Sequence, residues 1–400
     1  MIEFFSASTR MVNSKRAMTE CIEAAFGEGN DTQCDVIMIH ASIGHNYQDL
    51  AAQAHELVPG ATILGASCCG VIGSEGVSES MKDVAIMAMK GGSNEICTAY
   101  VDSIYGHDSF EKARQMGKSL KQQNPAINML YLMASGIDIA DDQLIKGLEA
   151  ELGSQVTIFG ATSADNMKGI VSYQIVNQQV LEHGAFVIGF ADPTLSVLTR
   201  ATHGFVASGE PMTVTRSEQN RIIELDGRPA WDVFTERLGL DHSASCGETI
   251  PIGALAEELP DDLKQEYGNN HILRVVTKKD DNGTMHYATH CPGGTRLWLT
   301  ARDEDLIFNE ADKMMEWFNQ QANGKKPVAV FHADCLARGR YLFNKIMKEE
   351  LVAAMQEPLS INGIVPPWIG MYGFGEFARL GGNNEYHNYT SALYAIYRDL

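Results

Sequence analysis

The chain has 400 residues, of which 44% are hydrophobic, and its formal net charge at pH 7 is −20. At roughly 100–200 residues per domain, this length predicts a globular protein of two to four domains. The acidic balance repels phosphate backbones and anionic lipid, so neither nucleic acid nor membrane insertion is expected. The start Met1-Ile2-Glu3 lacks the basic residues of a secretory signal, and we expect a cytoplasmic protein.

Two stretches of the first half share one pattern. A strand-like apolar run over 35–42 is followed by a helical stretch and a second run over 61–67. The same order recurs with runs over 127–135 and 156–162, and each copy is followed by a further apolar run, at 83–89 and 184–190. Continuous apolar runs joined by a helix are typical of parallel strands with a helical crossover. The pattern predicts duplicated βαβ-type layers.

The second half mixes helical and strand patterns. Apolar periodicity predicts helices over 229–240 and 303–321, and strands over 272–276, 328–331 and 393–397. The mostly polar residues 210–220 predict a linker. The expected fold class is therefore α/β plus α+β in two domains. Residues 1–205 form the α/β domain with the near-repeat, and residues 213–400 form a mixed α/β domain with antiparallel strands.

The ends of the two repeated strands carry small residues that suit a binding loop. Free backbone N–H groups in such turns bind anions, which makes candidates of Gly65, Ser67, Cys68 and Gly160. The alternative is that these turns serve packing alone, since neither matches a nucleotide-binding glycine motif. Cys68 and Cys69 form either a redox pair or two buried small residues.

A second set of candidates lies near the C-terminus, in three short blocks. They are Cys335 and Arg338, then Gly373, Gly375 and Glu376, then His387, Asn388 and Thr390. A guanidinium, a carboxyl, an imidazole and an amide predict a polar ligand pocket, with Arg338 gripping a carboxylate or phosphate. Two alternatives are internal hydrogen bonding with an Arg338–Glu376 pair, and a thiol enzyme built on Cys335. Because no nucleophile signature surrounds Cys335, we expect binding without catalysis.

Histidines are the candidate ligands of a haem iron, which takes a neutral imidazole in an apolar pocket. The candidates are His183, His203, His40 and His45, each of which is otherwise an ordinary core or surface histidine. Cysteine and histidine spacings match no structural zinc motif.

The order of the motifs resembles the FIST sensory family, with its FIST N and FIST C domains. The matching blocks are Gly65-Ala-Ser-Cys-Cys-Gly70, Leu225-Asp-Gly-Arg-Pro-Ala-Trp231, Cys335-Leu-Ala-Arg-Gly339, Gly373-Phe-Gly-Glu376 and His387-Asn-Tyr-Thr390. Val71 stands where related sequences often carry an acidic residue, so a ligand contact through that carboxylate is not expected here.

The resemblance implies a small-ligand sensor that acts on a separate signalling partner, most simply a sensor histidine kinase. Stand-alone bacterial members of the family include nitric-oxide-sensing haemoproteins, so the sharpest form is a protein that binds haem b and detects nitric oxide. The alternative without haem is a sensor of an amino acid or another small anion held by Arg338. A Cys335 enzyme and a ligand-free interaction scaffold are further alternatives.

Overall fold

The structure, a computed structural model, describes residues 1–92, 94–166, 168–339 and 345–399. The described chain repeats one order of elements three times: strand, helix, strand, helix, strand, then a hairpin and a last strand. The first unit consists of β1 (Glu3–Thr9), α1 (Ser14–Phe26), β2 (Val36–Ser42), α2 (Tyr47–Leu57), β3 (Thr62–Cys68), β4 (Val71–Gly73), β5 (Gly76–Ser78) and β6 (Val84–Lys90).

The second unit follows the same order and confirms the predicted near-repeat. It consists of β7 (Ile96–Val101), α3 (Ser109–Gln123), β8 (Met129–Ser135), α4 (Asp141–Leu152), β9 (Thr157–Ser163), β10 (Tyr173–Val176), β11 (Gln179–Glu182) and β12 (Ala185–Phe190). The predicted parallel pairs are β2 with β3 and β8 with β9, while β6 and β12 run antiparallel to their neighbours. Asparagine side chains cap α1 and α2, which fixes where these helices begin.

The third unit differs by an insertion after its first strand. Its own elements are β13 (Leu195–Thr202), α8 (Glu304–Ala322), β22 (Ala329–Cys335), α9 (Lys345–Gln356), β23 (Trp368–Gly373), β24 (Gly375–Leu380), β25 (Asn383–His387) and β26 (Ser391–Arg398). Where the first two units have a short loop between first strand and first helix, this unit carries residues 205–302, which we call the inserted module.

The inserted module is built on a strongly curved antiparallel sheet. It contains β14 (Phe205–Glu218), β15 (Arg221–Leu225), β16 (Arg228–Pro229), α5 (Ala230–Leu238), α6 (Cys246–Thr249), β17 (Leu255–Glu258), α7 (Asp261–Tyr267), β18 (His271–Arg274), β19 (Val276–Lys279), β20 (Met285–Tyr287) and β21 (Arg296–Arg302). The sheet order β18-β17-β21-β14-β15-β20-β19 has β18 and β19 at its two edges, although only Val275 separates them in the chain.

The predicted linker over 210–220 is wrong, because most of it belongs to β14. Met212 and Val214 are buried on one face of this strand and alternate with more exposed neighbours. These two residues alone show the alternation of apolar and polar side chains that indicates a strand. The other residues of the segment are mostly polar, so its composition resembles that of a linker.

The three units interlock through their hairpins. Their sheets have the orders β1-β6-β2-β3-β10-β11, β7-β12-β8-β9-β24-β25 and β13-β26-β22-β23-β4-β5. Each sheet thus contains four strands of one unit and the hairpin of another. The fold class α/β plus α+β is confirmed. The three sheets draw strands from both predicted domains, and the boundary between 205 and 213 stays a prediction.

Aromatic side chains from all three units meet where the sheets pack together. The ring of Phe159 lies 5.5 Å from that of Phe331 and 5.3 Å from that of Tyr394, and Phe331 also contacts Phe4. These rings are buried, and burial of such large apolar surfaces is the main stabilising contribution to folding. The centre of the three-unit body is therefore packed solid, and the ligand space lies elsewhere.

Candidate ligand-binding site

A cavity of about 460 Å³ lies between the three-unit body and the inserted module. On the body side it is bordered by the loops that follow β7, β8 and β22, and on the module side by α6, β19 and neighbouring turns. The ends of parallel strands are where α/β proteins usually place ligands. Its lining includes Ile137, Ile139, Ile250, Val275, Leu336, Phe374, Tyr386 and Tyr389, together with charged residues.

The block His387-Asn388-Tyr389-Thr390 fastens the module to the body beside this cavity. Asn388 is fully buried, its Oδ1 accepts from the Val275 N–H of the module at 3.3 Å, and its Nδ2 donates to Phe374 O at 3.2 Å. Tyr389, in a left-handed conformation with φ 57°, donates its hydroxyl to Ile250 O at 3.4 Å. His387 Nδ1 lies 3.2 Å from Tyr267 Oη of the module.

Glu376 and Thr390 form a hydrogen bond behind this joint. Thr390 Oγ1 donates to Glu376 Oε2 at 2.7 Å, and burial raises the pKa of this fully buried carboxyl well above its usual value. In the second unit, Gln174 occupies the matching hairpin position, and its Oε1 accepts from Gly184 N at 2.6 Å. A buried carboxyl in one unit and an amide in the other therefore accept hydrogen bonds at matching positions.

Asp141, the first residue of α4, lies in the wall of the cavity on the body side. Its side chain is 4% exposed and its Oδ1 has no hydrogen-bond partner within the described structure. Burial, and then the neighbouring Asp142, raise the pKa of this carboxyl, against a hydrogen bond with Tyr386 that lowers it. This oxygen itself has almost no accessible surface, so a ligand or water in the cavity does not reach it in this arrangement.

The rim of the cavity is basic. Lys168, Arg221 and Lys278 border it, and in the described part of the chain Lys168 and Lys278 form no ion pair. Arg221 forms an ion pair with Asp280, whose carboxylate also accepts a hydrogen bond from His286 Nε2 at 2.9 Å. The exposed carboxylate of Asp138 borders the same cavity, so the described border carries three cationic side chains against this one exposed anionic side chain.

Of the C-terminal candidates, Cys335 borders the cavity and Arg338 does not. Cys335 is buried, and burial followed by the nearby Glu376 raises the pKa of its thiol well above the usual value. A protonated thiol is a poor nucleophile, so a thiol enzyme built on Cys335 would need a group that lowers this pKa.

Arg338 is 1% exposed and its guanidinium serves the fold. Its Nη1 donates to the carbonyls of Thr202 at 3.1 Å and His203 at 2.9 Å, and its Nε lies 3.3 Å from Asp334 Oδ1. The Arg338–Glu376 pair, which was one of the alternatives, does not form among the described contacts, since Arg338 lies beside Asp334 and Glu376 accepts from Thr390. The anion-binding role predicted for Arg338 has no support from this placement.

The glycine-rich turns support the cavity indirectly. Ser67 Oγ accepts from Tyr173 N at 2.9 Å and Ser67 O accepts from Ala164 N at 3.0 Å, which holds the loop that carries Lys168. Cys68 is fully buried, and burial raises the pKa of its thiol. Gly65 and Cys68 do not border the cavity.

The other glycines allow close approach of strands. A Cβ at Gly160, whose φ is 141°, would lie 2.0 Å from Leu132 O, and one at Gly375 would overlap the Tyr386 hydroxyl. A Cβ at Gly373 would lie 2.5 Å from Thr162 O. These glycines are explained by packing.

None of the four histidines predicted to bind haem offers a free ring nitrogen at the cavity, although His40 Nδ1 and His45 Nε2 are buried without a hydrogen-bond partner among the described residues. Both ring nitrogens of His203 form hydrogen bonds. Nε2 donates to His271 O and Nδ1 accepts from Phe205 N, both at 2.9 Å. His40 Nε2 lies 3.2 Å from Tyr131 Oη, and His45 Nδ1 lies 3.0 Å from Ser14 Oγ. His183 Nδ1 lies 3.3 Å from Ser135 Oγ. None of the four borders the cavity.

The two histidines that do border the cavity are His107 and His286. His107 is exposed, and His286 is half-buried and bonded to Asp280. None of the described histidines thus combines burial, a ring nitrogen without a partner and a place on the cavity wall. In the described ranges no group of three or more His, Cys, Asp or Glu side chains is arranged to hold a metal ion.

Sequence analysis missed most of the cavity lining, above all Asp141 and the residues of the inserted module. One available signal was the segment Asp138-Ile-Ala-Asp-Asp142, which places acidic residues directly after the buried strand β8. The module contributes through its tertiary position alone, which no local pattern in the chain encodes.

Comparisons with known proteins place the chain among sensory domains. The FIST N domain model matches residues 35–228 and the FIST C domain model matches residues 230–379. No curated protein sequence matches the chain. In the part of the chain that the structure describes, no helix is both long and apolar enough to cross a membrane.

Similarity to solved structures is weak. A cyanuric acid hydrolase from A. caulinodans has a TM-score of 0.28 at 7% identity, over 51% of this chain and 72% of the other. PurLQS from Thermotoga maritima has a TM-score of 0.21 at 10% identity, over 100% of this chain and 72% of the other. Scores this low support no conclusion about fold or activity.

The two domain matches meet inside the inserted module and together account for most of the chain. FIST domains are small-ligand sensing domains of signalling proteins. With both domains in the expected order, the chain belongs to the FIST family.

Proposed function

We propose that this protein senses a small organic anion, such as an amino acid or another carboxylate, which binds in the cavity between the three-unit body and the inserted module. The observation that carries this proposal is that a cavity with an extensive apolar lining is bordered by both parts. A more open pocket around Arg200, Glu266 and Trp317 also touches both parts, but polar and charged side chains line almost all of it. A ligand that contacts both parts favours the arrangement in which they are closed around it, and this is the differential binding that a sensor requires.

The basic rim supports an anionic ligand. Lys168 and Lys278 approach the entrance from the body and the module, respectively, and an anion between them is attracted to both. In this proposal Lys168 and Lys278, and not Arg338, bind the anion. The apolar lining behind them suits a hydrocarbon portion of the ligand.

The output acts on a separate signalling protein, for which a sensor histidine kinase is our proposal. A change in the autophosphorylation of a co-purified histidine kinase, upon addition of a compound that binds the cavity, tests this partner. An unchanged phosphorylation rate at saturating compound contradicts it.

A variant that fills the cavity tests the binding site. Gly247 borders the cavity, and a Cβ there would meet nothing closer than Ser245 Oγ at 4.0 Å, so Gly247→Trp attaches an indole at an unobstructed position of the cavity border. Gly60, where a Cβ meets nothing within 4 Å, lies outside the cavity and supplies the matched control Gly60→Trp. Small organic acids that raise the melting temperature of the unsubstituted protein should fail with Gly247→Trp and still act on Gly60→Trp. Equal responses of the two variants contradict the proposal.

Haem binding with nitric oxide detection is the other candidate that family membership suggests. Because none of the four predicted histidines borders the cavity, a haem bound in this cavity would have no axial ligand among them. An absorption spectrum of the purified protein after haem loading tests it. A Soret band that shifts with nitric oxide in the ferrous state would replace our proposal, whereas a featureless spectrum supports the anion sensor.

A further inference from the structure

We infer that Asp165 is a positioning residue for ligand binding: its buried carboxylate holds residues 168–171 in one conformation and thereby keeps Lys168 at the entrance of the cavity. This inference rests on the proposed function and adds a residue to the same site.

The connection between the third strand of a unit and its hairpin is long in the second unit alone. It has two residues in the first unit, one in the third and nine, residues 164–172, in the second. The first and third units show that this junction closes with very few residues. Lys168 and Gly169 in the long connection border the cavity, and long loops in compact domains usually serve function. The added length therefore indicates a role in the site.

The carboxylate of Asp165 binds the middle of this connection. Asp165 is 4% exposed, and its Oδ1 accepts from the backbone N–H groups of Lys168 at 2.7 Å and Gly169 at 3.0 Å. Its Oδ2 accepts from those of Ile170 at 2.8 Å and Val171 at 3.4 Å. Consecutive N–H groups that converge on one point form a nest for an anion, and here a side chain of the loop itself occupies the nest. Four hydrogen bonds to one charged group thus hold the backbone that carries Lys168.

The rest of the described loop is attached at its ends. Ala164 N donates to Ser67 O at 3.0 Å, and Ser172 is buried against the body. Between these ends the side chain of Ile170 is 68% exposed, so it adds little apolar packing. The conformation of residues 168–171 therefore depends on the Asp165 carboxylate.

Asp165→Asn tests the role of this carboxylate, since the amide keeps one acceptor oxygen and turns a donor towards the other N–H groups. The matched control is Asp83→Asn. Asp83 is fully buried and holds the turn before β6 in a similar manner, accepting from Ser78 Oγ at 2.8 Å, Ser80 Oγ at 2.7 Å and Ser80 N at 2.5 Å. Asp83 does not border the cavity.

Calorimetric titration with hexanoate at pH 7 supplies the measurement, because its carboxylate suits Lys168 and its chain suits the apolar lining. Lys168→Ala should weaken hexanoate binding about tenfold, as the loss of one hydrogen bond to a charged group does. Asp165→Asn should weaken it by a similar factor. The double variant should lose no more than either single variant, because both changes remove the same contact. Asp83→Asn should bind hexanoate like the unsubstituted protein.

A second variant covers the case that Asp165→Asn does not fold. Gly169 has φ 62°, a conformation that residues with a side chain rarely adopt, and a Cβ there would meet nothing within 4 Å. Gly169→Ala therefore disturbs the same loop conformation without a clash. Its effect on hexanoate binding should likewise vanish once Lys168→Ala is present.

The outcomes separate this inference from the proposed function. If Lys168→Ala weakens binding but Asp165→Asn does not, the positioning role is refuted while the cavity remains an anion site. The same refutation follows if the two losses add in the double variant, or if Asp83→Asn weakens binding as much as Asp165→Asn. If hexanoate does not bind the unsubstituted protein, or binds Lys168→Ala equally well, the anion site fails and this inference fails with it.

Discussion

Removing the Asn388 side chain should weaken the attachment of the inserted module more than any exposed substitution nearby. Asn388→Ala leaves the Val275 N–H and the Phe374 carbonyl without their hydrogen-bond partner at a site where Asn388 itself is fully buried. A buried polar group left unsatisfied costs about 1–3 kcal/mol. For the two groups together we expect a loss of about 2–4 kcal/mol in the free energy of unfolding.

Urea denaturation followed by circular dichroism and tryptophan fluorescence measures this loss. The matched control is Asn383→Ala, since Asn383 is exposed and makes a single long hydrogen bond, from its Nδ2 to Gly381 O at 3.5 Å. It should change the stability by no more than about 0.5 kcal/mol, as exposed substitutions usually do. If the two variants were equally stable, the Asn388 joint would not hold the module, and the account of its attachment would be refuted.

Other predictions follow from the buried titratable groups. Glu376→Gln should weaken the pH dependence of stability. The pKa of this carboxyl is raised in the folded state, so the carboxyl destabilises the fold as the pH rises above the pKa that it has in the unfolded chain. Urea midpoints at pH 5 and pH 8 measure this effect, and an equal difference between the two midpoints in variant and parent contradicts it. Burial lowers the pKa of His203 to about 4 and that of His387 to about 3, so stability should fall as the pH drops below about 6.5. A His203→Gln variant that keeps the full decline at low pH would exclude His203 as a source. Iodoacetamide at pH 7.5 should label Cys246 before Cys335. Cys246 is partly exposed and its pKa is raised only to about 11, whereas Cys335 is buried and its pKa is raised further. The reverse order of labelling, measured by mass spectrometry, would support the thiol-enzyme alternative.

The sequence predicts the local units of this fold well. The βαβ repeat, the parallel pairs and the helices over 229–240 and 303–321 all depend on apolar periodicity within short segments, and the structure contains them. The third unit escaped detection because its first strand and first helix are separated by about a hundred residues of inserted module. Apolar patterns predict strands within the third unit. Their equivalence to the strands of the first two units follows only from how they pair in the sheet.

The candidate site was predicted only in part. The block from His387 to Thr390 and Cys335 do lie beside the cavity, but most of this block serves the joint between body and module. A guanidinium predicts anion binding at Arg338, but its burial against backbone carbonyls is a tertiary feature that composition does not reveal. Asp141 gives no such signal in the sequence, since acidic residues at the start of a helix usually stabilise the helix itself.

Hydrogen exchange with and without a small organic acid that raises the melting temperature of the protein tests the central claim most directly, namely that a ligand in this cavity holds the module against the body. We predict slower amide exchange on both sides of the cavity, in residues 246–250 and 274–278 of the module and in 386–390 of the body. The Gly247→Trp variant should show no such difference upon addition of the probe. Slower exchange confined to one side, or lying away from these segments, would contradict the claim.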